Sequence, residues 1–347
     1  MKRILLILLI CLLLVGCYIN DSREASKKEA ITLDDVEQLS YALVVKDINN
    51  EYMHTMFRGF KMACTELGIS ALMVGPDDSS DVNQSQLIND LIREKIDGIA
   101  VAANDSDEIK SALQKAITSG ISVVSLDSPV YPEDRTVHIQ QASPEIIGRI
   151  LIQAGAEMIN NEGEIAILST TEETPNQKSW VNWMLRELDE NKEKYSNIKL
   201  VEVAYGHDNE TVSKRKTREL LHKYPNLKLI IAPTVIGIRS AAEVVCEEKS
   251  SVKVTGLGLP SEMEQYINSG ICPWMYLWNP SDLGYLAAYA IYVCQTGTFT
   301  GKEGDIFEAG SLGNRIVTSS EDGGTEIVLG KPLMISSNNV SMWKEVF

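Results

Sequence analysis

Short apolar runs rich in β-branched residues alternate with longer amphipathic stretches along most of the chain. Tyr41-Ala-Leu-Val-Val45, Ala71-Leu-Met-Val74, Gly98-Ile-Ala-Val-Ala-Ala103 and Ile121-Ser-Val-Val-Ser-Leu126 read as strands. Between the first two, Met56, Phe57, Phe60, Met62, Ala63 and Leu67 fall at helical spacing, which predicts a helix over Met53 to Leu67. The stretch Asp81-Val-Asn-Gln-Ser-Gln86 opens a second helix that is apolar at Leu87, Ile88, Leu91 and Ile92; a third reaches Ile117, with Ser106 or Asp107 as its expected cap. The rhythm restarts after Pro144. Strands are expected at Glu164 to Leu168, Ile198 to Ala204, Leu227 to Ala232 and Val252 to Gly256, with helices at Asn176 to Glu190, Glu210 to Lys223 and Ile238 to Glu247. Strand–helix alternation of this kind means parallel sheets covered by helices, here an α/β fold in two successive halves.

The N-terminus departs from that pattern. Lys2-Arg3 precedes an apolar run, Ile4 to Val15, that is shorter than the roughly 20 residues needed to span a bilayer. Leu14-Val15-Gly16-Cys17 follows and resembles a bacterial lipobox, in which the Cys is lipidated and becomes the new N-terminus. That resemblance implies a signal peptide over 1–16, lipidation at Cys17 and a protein held on the extracytoplasmic face of the cell membrane by its acyl chains. Residues 17–38, polar and charge-rich from Asp21 to Glu37, read as a flexible tether.

The chain carries 32 Lys and Arg against 48 Asp and Glu, a formal charge of −16. Loss of Lys2 and Arg3 with the signal would make it more negative still. No basic run is present to meet phosphates, so nucleic acid is not expected as a partner. Cys64, Cys246, Cys272 and Cys294 sit in apolar contexts without C-x-x-C spacing and read as buried free thiols. His54, His138, His207 and His222 are dispersed, with no ligand-type spacing, so no metal and no cofactor are expected. G-x-S-x-G, G-x-x-x-x-G-K-[ST] and G-x-G-x-x-G are all missing; Gly256-Leu-Gly258 continues as Leu259-Pro260 instead of completing a dinucleotide fingerprint. With export, this favours a binding protein over an enzyme.

In open parallel α/β sheets, ligands sit outside the carboxyl ends of the strands. Those positions are Lys46-Asp47, Asn104-Asp105, Asp127-Ser128, Thr170 to Gln177 and Pro233-Thr234-Val235. Gly75-Pro76, Gln86-Leu-Ile-Asn89, Asp97-Gly98-Ile99, Val124-Ser-Leu-Asp127, Gln177 with Trp180, Ile230-Ile-Ala-Pro233 and Leu277-Trp278 together resemble the type I periplasmic-type sugar-binding proteins, above all the branch that binds autoinducer-2 or rhamnose for ABC importers. The resemblance runs from about Leu39 to Phe347. It implies two Rossmann-like lobes joined by a three-segment hinge: an N-terminal lobe of 39–143 with 276–305, and a C-terminal lobe of 144–275 with 306–347.

Position by position, the resemblance implies that Lys46 and Asp127 contact ligand hydroxyls from the first lobe, and Gln177, Pro233 and Val235 from the second. Asn176 stands where the autoinducer-2 receptors have an acid, Asn279 where an Asp is usual, and Val235 where a small Ala is usual. Asn brings donors where Asp only accepts, which changes the hydroxyl pattern the site would match. Asn176 also reads as a helix cap; Trp180 and Trp183 read equally as core, while Trp278 is the better candidate for a wall against the sugar. The implied partners are a small sugar or autoinducer-2 and an importer permease, with the protein acting as a monomer. A sensory receptor presenting its closed form to a sensor kinase or chemoreceptor is the alternative of the same fold.

Overall fold

The protein is described here from a computed structural model over residues 38–77, 82–297 and 299–346. Residues 1–37, with the expected signal, Cys17 and nearly all of the tether, lie outside the described residues. The first half runs β1 (Ser40–Val44), α1 (Glu51–Leu67), β2 (Ser70–Val74), α2 (Gln84–Arg93), β3 (Gly98–Val101), α3 (Ser106–Thr118), β4 (Ser122–Leu126) and β5 (His138–Gln140). The second half runs α4 (Pro144–Met158), β6 (Gly163–Ser169), α5 (Pro175–Glu190), β7 (Ile198–Tyr205), α6 (Glu210–Lys223), β8 (Leu227–Ala232), α7 (Val235–Glu247), β9 (Lys253–Gly256), α8 (Pro260–Asn268) and β10 (Trp274–Leu277). After α9 (Pro280–Gln295) come five short strands, β11 (Ile306–Glu308), β12 (Asn314–Ile316), β13 (Thr318–Ser319), β14 (Thr325–Val328) and β15 (Leu333–Ser336), and a last helix, α10 (Val340–Trp343).

Two sheets define two lobes. The first has the order β13-β14-β5-β4-β3-β1-β2, parallel except for β13. Alternate residues of β1 serve its two faces: Tyr41 and Leu43 join the core that includes α1 and α9, while Ala42 and Val44 join the core formed with α2 and α3. Burial on both faces is why β1 reads as a continuous apolar run. The second sheet has the parallel order β7-β6-β8-β9, and a bridge from Leu257 to Tyr276 adds the antiparallel pair β10–β15. The chain passes between the sheets at 141–143, 278–279 and 329–332.

The expected assignment of the whole of 306–347 to the second lobe needs correction. β14 pairs with β5 in the first sheet, with Glu326, Ile327 and Val328 opposite His138, Ile139 and Gln140. An open edge of β5 would leave backbone donors and acceptors unpaired, and the C-terminal segment fills it. Arg135, whose side chain is almost fully buried, fastens the turn by a 2.6 Å ion pair to Asp322. Only β15 and α10 return to the second lobe, and residues 276–277, in β10, belong there as well.

Helix ends also differ in detail. The second helix is capped by Asn83, in a reciprocal box with Gln86, both within the stretch expected to open it. Asp105, one residue earlier than expected, caps α3 by accepting from the backbone N–H of Asp107 and Glu108. Helix α9 lies against α1 at contact distance because two glycines meet backbone there: a Cβ on Gly59 would fall 1.7 Å from the Ser281 carbonyl oxygen, and one on Gly284 would fall 1.9 Å from that of Met56. Cys64 and Cys272 are buried thiols as expected, but Cys246 is exposed and Cys294 half-buried; all four are free.

Candidate functional site

The carboxyl ends of both sheets face a common cleft, and most of the candidate residues meet in it. A cavity of about 110 Å³ lies there, lined from the first lobe by Lys46, Asn50, Tyr52, Met53, Asn104 and Asp127. Thr170, Asn176, Gln177, Trp180, Asp208, Pro233, Thr234 and Val235 line it from the second, and Trp278 from a crossover. At about 10–15 Å³ for each water-sized sphere, this holds roughly eight of them, the scale of a small sugar.

The first lobe's contribution is held by its backbone ends. Gln84, buried at the start of α2, donates to the carbonyls of Val45 (2.9 Å) and Ala102 (2.8 Å) and accepts from the Asn104 N–H (2.9 Å). The Asn104 amide in turn donates to the Lys46 carbonyl at 2.9 Å. One glutamine thus ties the ends of β1 and β3 and sets where Lys46 and Asn104 stand.

Asp127 is the hub. Its backbone is left-handed (φ 59°), which turns the carboxylate over the end of β4, and Lys46 Nζ lies 2.7 Å from Oδ2. Asn176 Nδ2 donates to the same oxygen at 3.3 Å; Tyr52 Oη (3.2 Å) and Gln141 Nε2 (3.5 Å) donate to Oδ1. Burial, with the Asp127 charge next, pushes the Tyr52 phenol well above its ordinary value, so it remains a donor. Trp278 Nε1 donates to Tyr52 Oη at 2.7 Å, and the two rings meet edge to face, their centroids 6.4 Å apart. Trp180 lies 5.9 Å from Trp278, so it is both core and cavity wall. Trp183 does not line the cavity; the guanidinium groups of Arg149 and Arg186 lie over its ring, 5.1 and 4.6 Å from the centroid.

From the second lobe, Gln177 accepts from Ser169 Oγ at 2.9 Å and donates to the Pro233 carbonyl at 2.7 Å, linking the ends of β6 and β8. Asn176 is not the helix cap: Thr174 holds that position, and the Asn176 side chain reaches Asp127 and Lys46 across the cleft. The Thr170 hydroxyl is buried at the cavity wall without a hydrogen-bond partner. Asp208 accepts from Thr234 Oγ1 at 2.5 Å, and Asn50 Nδ2 reaches it from the first lobe at 3.4 Å. Desolvation raises the Asp208 carboxyl above its ordinary value; the Thr234 hydrogen bond and Lys46 oppose this, and Asp127 and Asp47 add to it.

Of the expected residues, Lys46, Asp127, Asn176, Gln177, Pro233, Val235 and Trp278 come together in the cavity, while Asn279 does not line it. Its side chain accepts from the Ser281 N–H at 3.0 Å and caps α9. Asn50, Tyr52, His207 and Asp208 went unread. The last two follow β7, whose carboxyl end was available to the same strand-end rule; Tyr52 lies inside α1, where its ring reads as core. Among the described residues no group of His, Cys, Asp and Glu could hold a metal ion, and no helix is long and apolar enough to cross a membrane.

Residues 41–298 match the periplasmic binding protein domain family. The chain belongs to it. This is a family of solute-binding proteins rather than enzymes, and the two-lobed α/β fold is its type I architecture. The chain is similar to the crystal structure of an ABC transporter solute-binding protein from Clostridium phytofermentas with bound L-rhamnose, at 36% identity over 89% of this chain and 99% of that one, with a TM-score of 0.86. LsrB from Clostridium saccharobutylicum in complex with AI-2 shares the fold at 21% identity over 88% of this chain and 99% of that one, with a TM-score of 0.81. Among curated proteins, the D-ribose/D-allose-binding protein of Pseudomonas aeruginosa is 22% identical over 242 residues, 65% of this chain and 73% of that protein.

Proposed function

We propose that this periplasmic binding protein is an extracytoplasmic lipoprotein that captures a small neutral sugar or sugar-like ligand, with rhamnose and autoinducer-2 as the leading candidates, and delivers it to an ABC importer. The observation that carries the reading is the cavity itself, small and walled by both lobes and by the Trp180 and Trp278 indoles. Its polar groups suit a polyol: Lys46 donates, Asp127 accepts, and Asn176 and the unpaired Thr170 hydroxyl do both. Asp47, Asp105 and Glu173 border the depression at its mouth and disfavour anionic sugars. The solved relative at 36% identity, holding L-rhamnose, supports a deoxy-hexose within this class.

A thermal-shift screen over L-rhamnose, autoinducer-2, D-ribose, D-arabinose and common hexoses tests the reading. A ligand at 100 times its Kd stabilises by about 2.7 kcal/mol, enough for a clear shift. No shift with any of them would overturn a sugar site. The anchor rests on Leu14 to Cys17, and mass spectrometry of membrane-extracted protein is expected to find an acylated peptide beginning at Cys17. An unmodified N-terminus elsewhere on a protein in the soluble fraction would overturn that part.

A further inference from the structure

We propose that Asn50 and Asp208 form a clasp between the lobes that holds the closed form on its ligand, with Asp208 as the positioning residue. The inference rests on the binding reading above and adds residues that neither the strand-end rule nor the family resemblance supplied.

Each half of the clasp is set by its own lobe. Asn50 caps α1: its Oδ1 accepts from the Tyr52 N–H at 2.9 Å, and the planar amide then turns Nδ2 away from the helix, to 3.4 Å from Asp208 Oδ2. Asp208 is prepared from the other side, since its Oδ1 already accepts from the Thr234 hydroxyl. The turn that carries it places two successive non-glycine residues, His207 (φ 54°) and Asp208 (φ 50°), in the left-handed region. Backbone bonds from Gly206 to the Ser169 carbonyl (2.8 Å) and from His207 to that of Thr170 (2.9 Å) fasten the turn to the end of β6. Strain of this kind persists only where surrounding contacts enforce it, and here its product is a carboxylate aimed at the opposite lobe.

The clasp is joined to the ligand-facing groups. Thr234 follows Pro233, whose carbonyl accepts from Gln177, and Tyr52, bonded at its N–H by Asn50, donates its hydroxyl to Asp127. Closing the lobes withdraws the Asp208 carboxylate from water, a cost that the Asn50 donor offsets. Reopening must break that contact, so the pair acts on the dissociation rate.

Asn50→Asp isolates the clasp from the cap. Asp caps helices as well as Asn, so the melting temperature of the ligand-free protein is expected to be unchanged, while the donor is lost and two carboxylates face each other. With L-rhamnose, D-ribose and D-arabinose as probes, stopped-flow fluorescence of the cavity tryptophans is expected to show dissociation faster by about tenfold, with Kd weakened in step. Combining Asn50→Asp with Asp208→Asn restores an amide–carboxylate pair with the roles exchanged, and dissociation is expected to return to within about threefold of wild type. Should Asn50→Asp fold poorly, Asn50→Ser keeps a capping oxygen but is too short to reach Asp208, and the same acceleration is expected. A wild-type dissociation rate in both single Asn50 variants, or no recovery in the exchanged pair, overturns the clasp alone. Wild type that binds none of the three sugars overturns the clasp together with the binding reading for these sugars.

Discussion

Asp127 shows how a single residue organises the cleft. Its carboxylate collects Lys46 and Tyr52 from the first lobe, Asn176 from the second and Gln141 from a crossover, so one side chain joins both lobes and a segment between them. Hydrogen bonds to charged groups are worth about 1.5–3 kcal/mol each. An amide at this position would set its NH2 against one of the two donor pairs, Lys46 with Asn176 or Tyr52 with Gln141, and would remove the charge opposite the Lys46 ammonium. Asp127→Asn is therefore expected to weaken sugar binding at least about tenfold, or about 1.4 kcal/mol. Asp47→Asn is expected to do much less, because Asp47 Oδ1 accepts from the Asn49 N–H at 2.8 Å within its own turn. Calorimetric titration of both variants checks this, and equal affinities for wild type and Asp127→Asn would remove the residue from the site. That Lys46 and Asp127 face the cleft was legible because strand-end position and residue type coincide, whereas Gln177, inside α5, was singled out through the family resemblance. Asn279 misled because a capping Asn has the same composition as a binding one, and only the hydrogen bond to Ser281 tells them apart.

At the level of elements, the pairing of α9 with α1 explains why the chain returns to the first lobe after β10. Gly59 and Gly284 let the two helices touch backbone to backbone. Gly284→Ala forces them apart and is expected to cost about 1–3 kcal/mol of stability, as overpacking does; urea unfolding measures it, and an unchanged midpoint would show that the interface yields. Strand β5 supplies a second expectation. His138 is fully buried between Ser125 Oγ and Gln140 Oε1, both at 2.8 Å, and burial, with the Arg135 charge next, lowers its imidazole to about 3. The unfolded chain titrates near 6.5, so below that pH the unfolded state binds the extra proton. The stability contributed by neutral His138 is full above about pH 6.5 and is lost as the pH falls toward about 3, with a slope of up to about 1.4 kcal/mol per pH unit. His138→Gln is expected to flatten the fall in stability between about pH 7 and pH 4, measured by urea unfolding across that range.

Across the whole molecule, the groups that line the cleft are divided between lobes that the chain connects at three crossovers, and two of these, at Gln141 and Trp278, reach the candidate site directly. A hinge movement at these crossovers would therefore shift the groups of the proposed site as well. Small-angle scattering is expected to show contraction when a sugar from the screen is added to saturation; an identical profile would count against a two-lobed clamp.

The alternation of apolar runs and amphipathic stretches was enough to determine two α/β halves, their strand order of appearance and most of the residues at the strand ends, because burial on both faces and helical periodicity are local properties of the chain. The last forty residues carry no such signature. β13 and β14 are short, the first exposed and the second mostly half-buried, and what places them in the first sheet is the open edge of β5 and the buried Arg135, both distant in sequence. Tyr52, Asn50 and Asp208 were likewise decided by tertiary structure, since each acquires its role from a partner more than 70 positions away, Asp127 for the first and one another for the other two. Periodicity reports which face of an element is buried; only closure of one lobe on the other decides which polar groups meet.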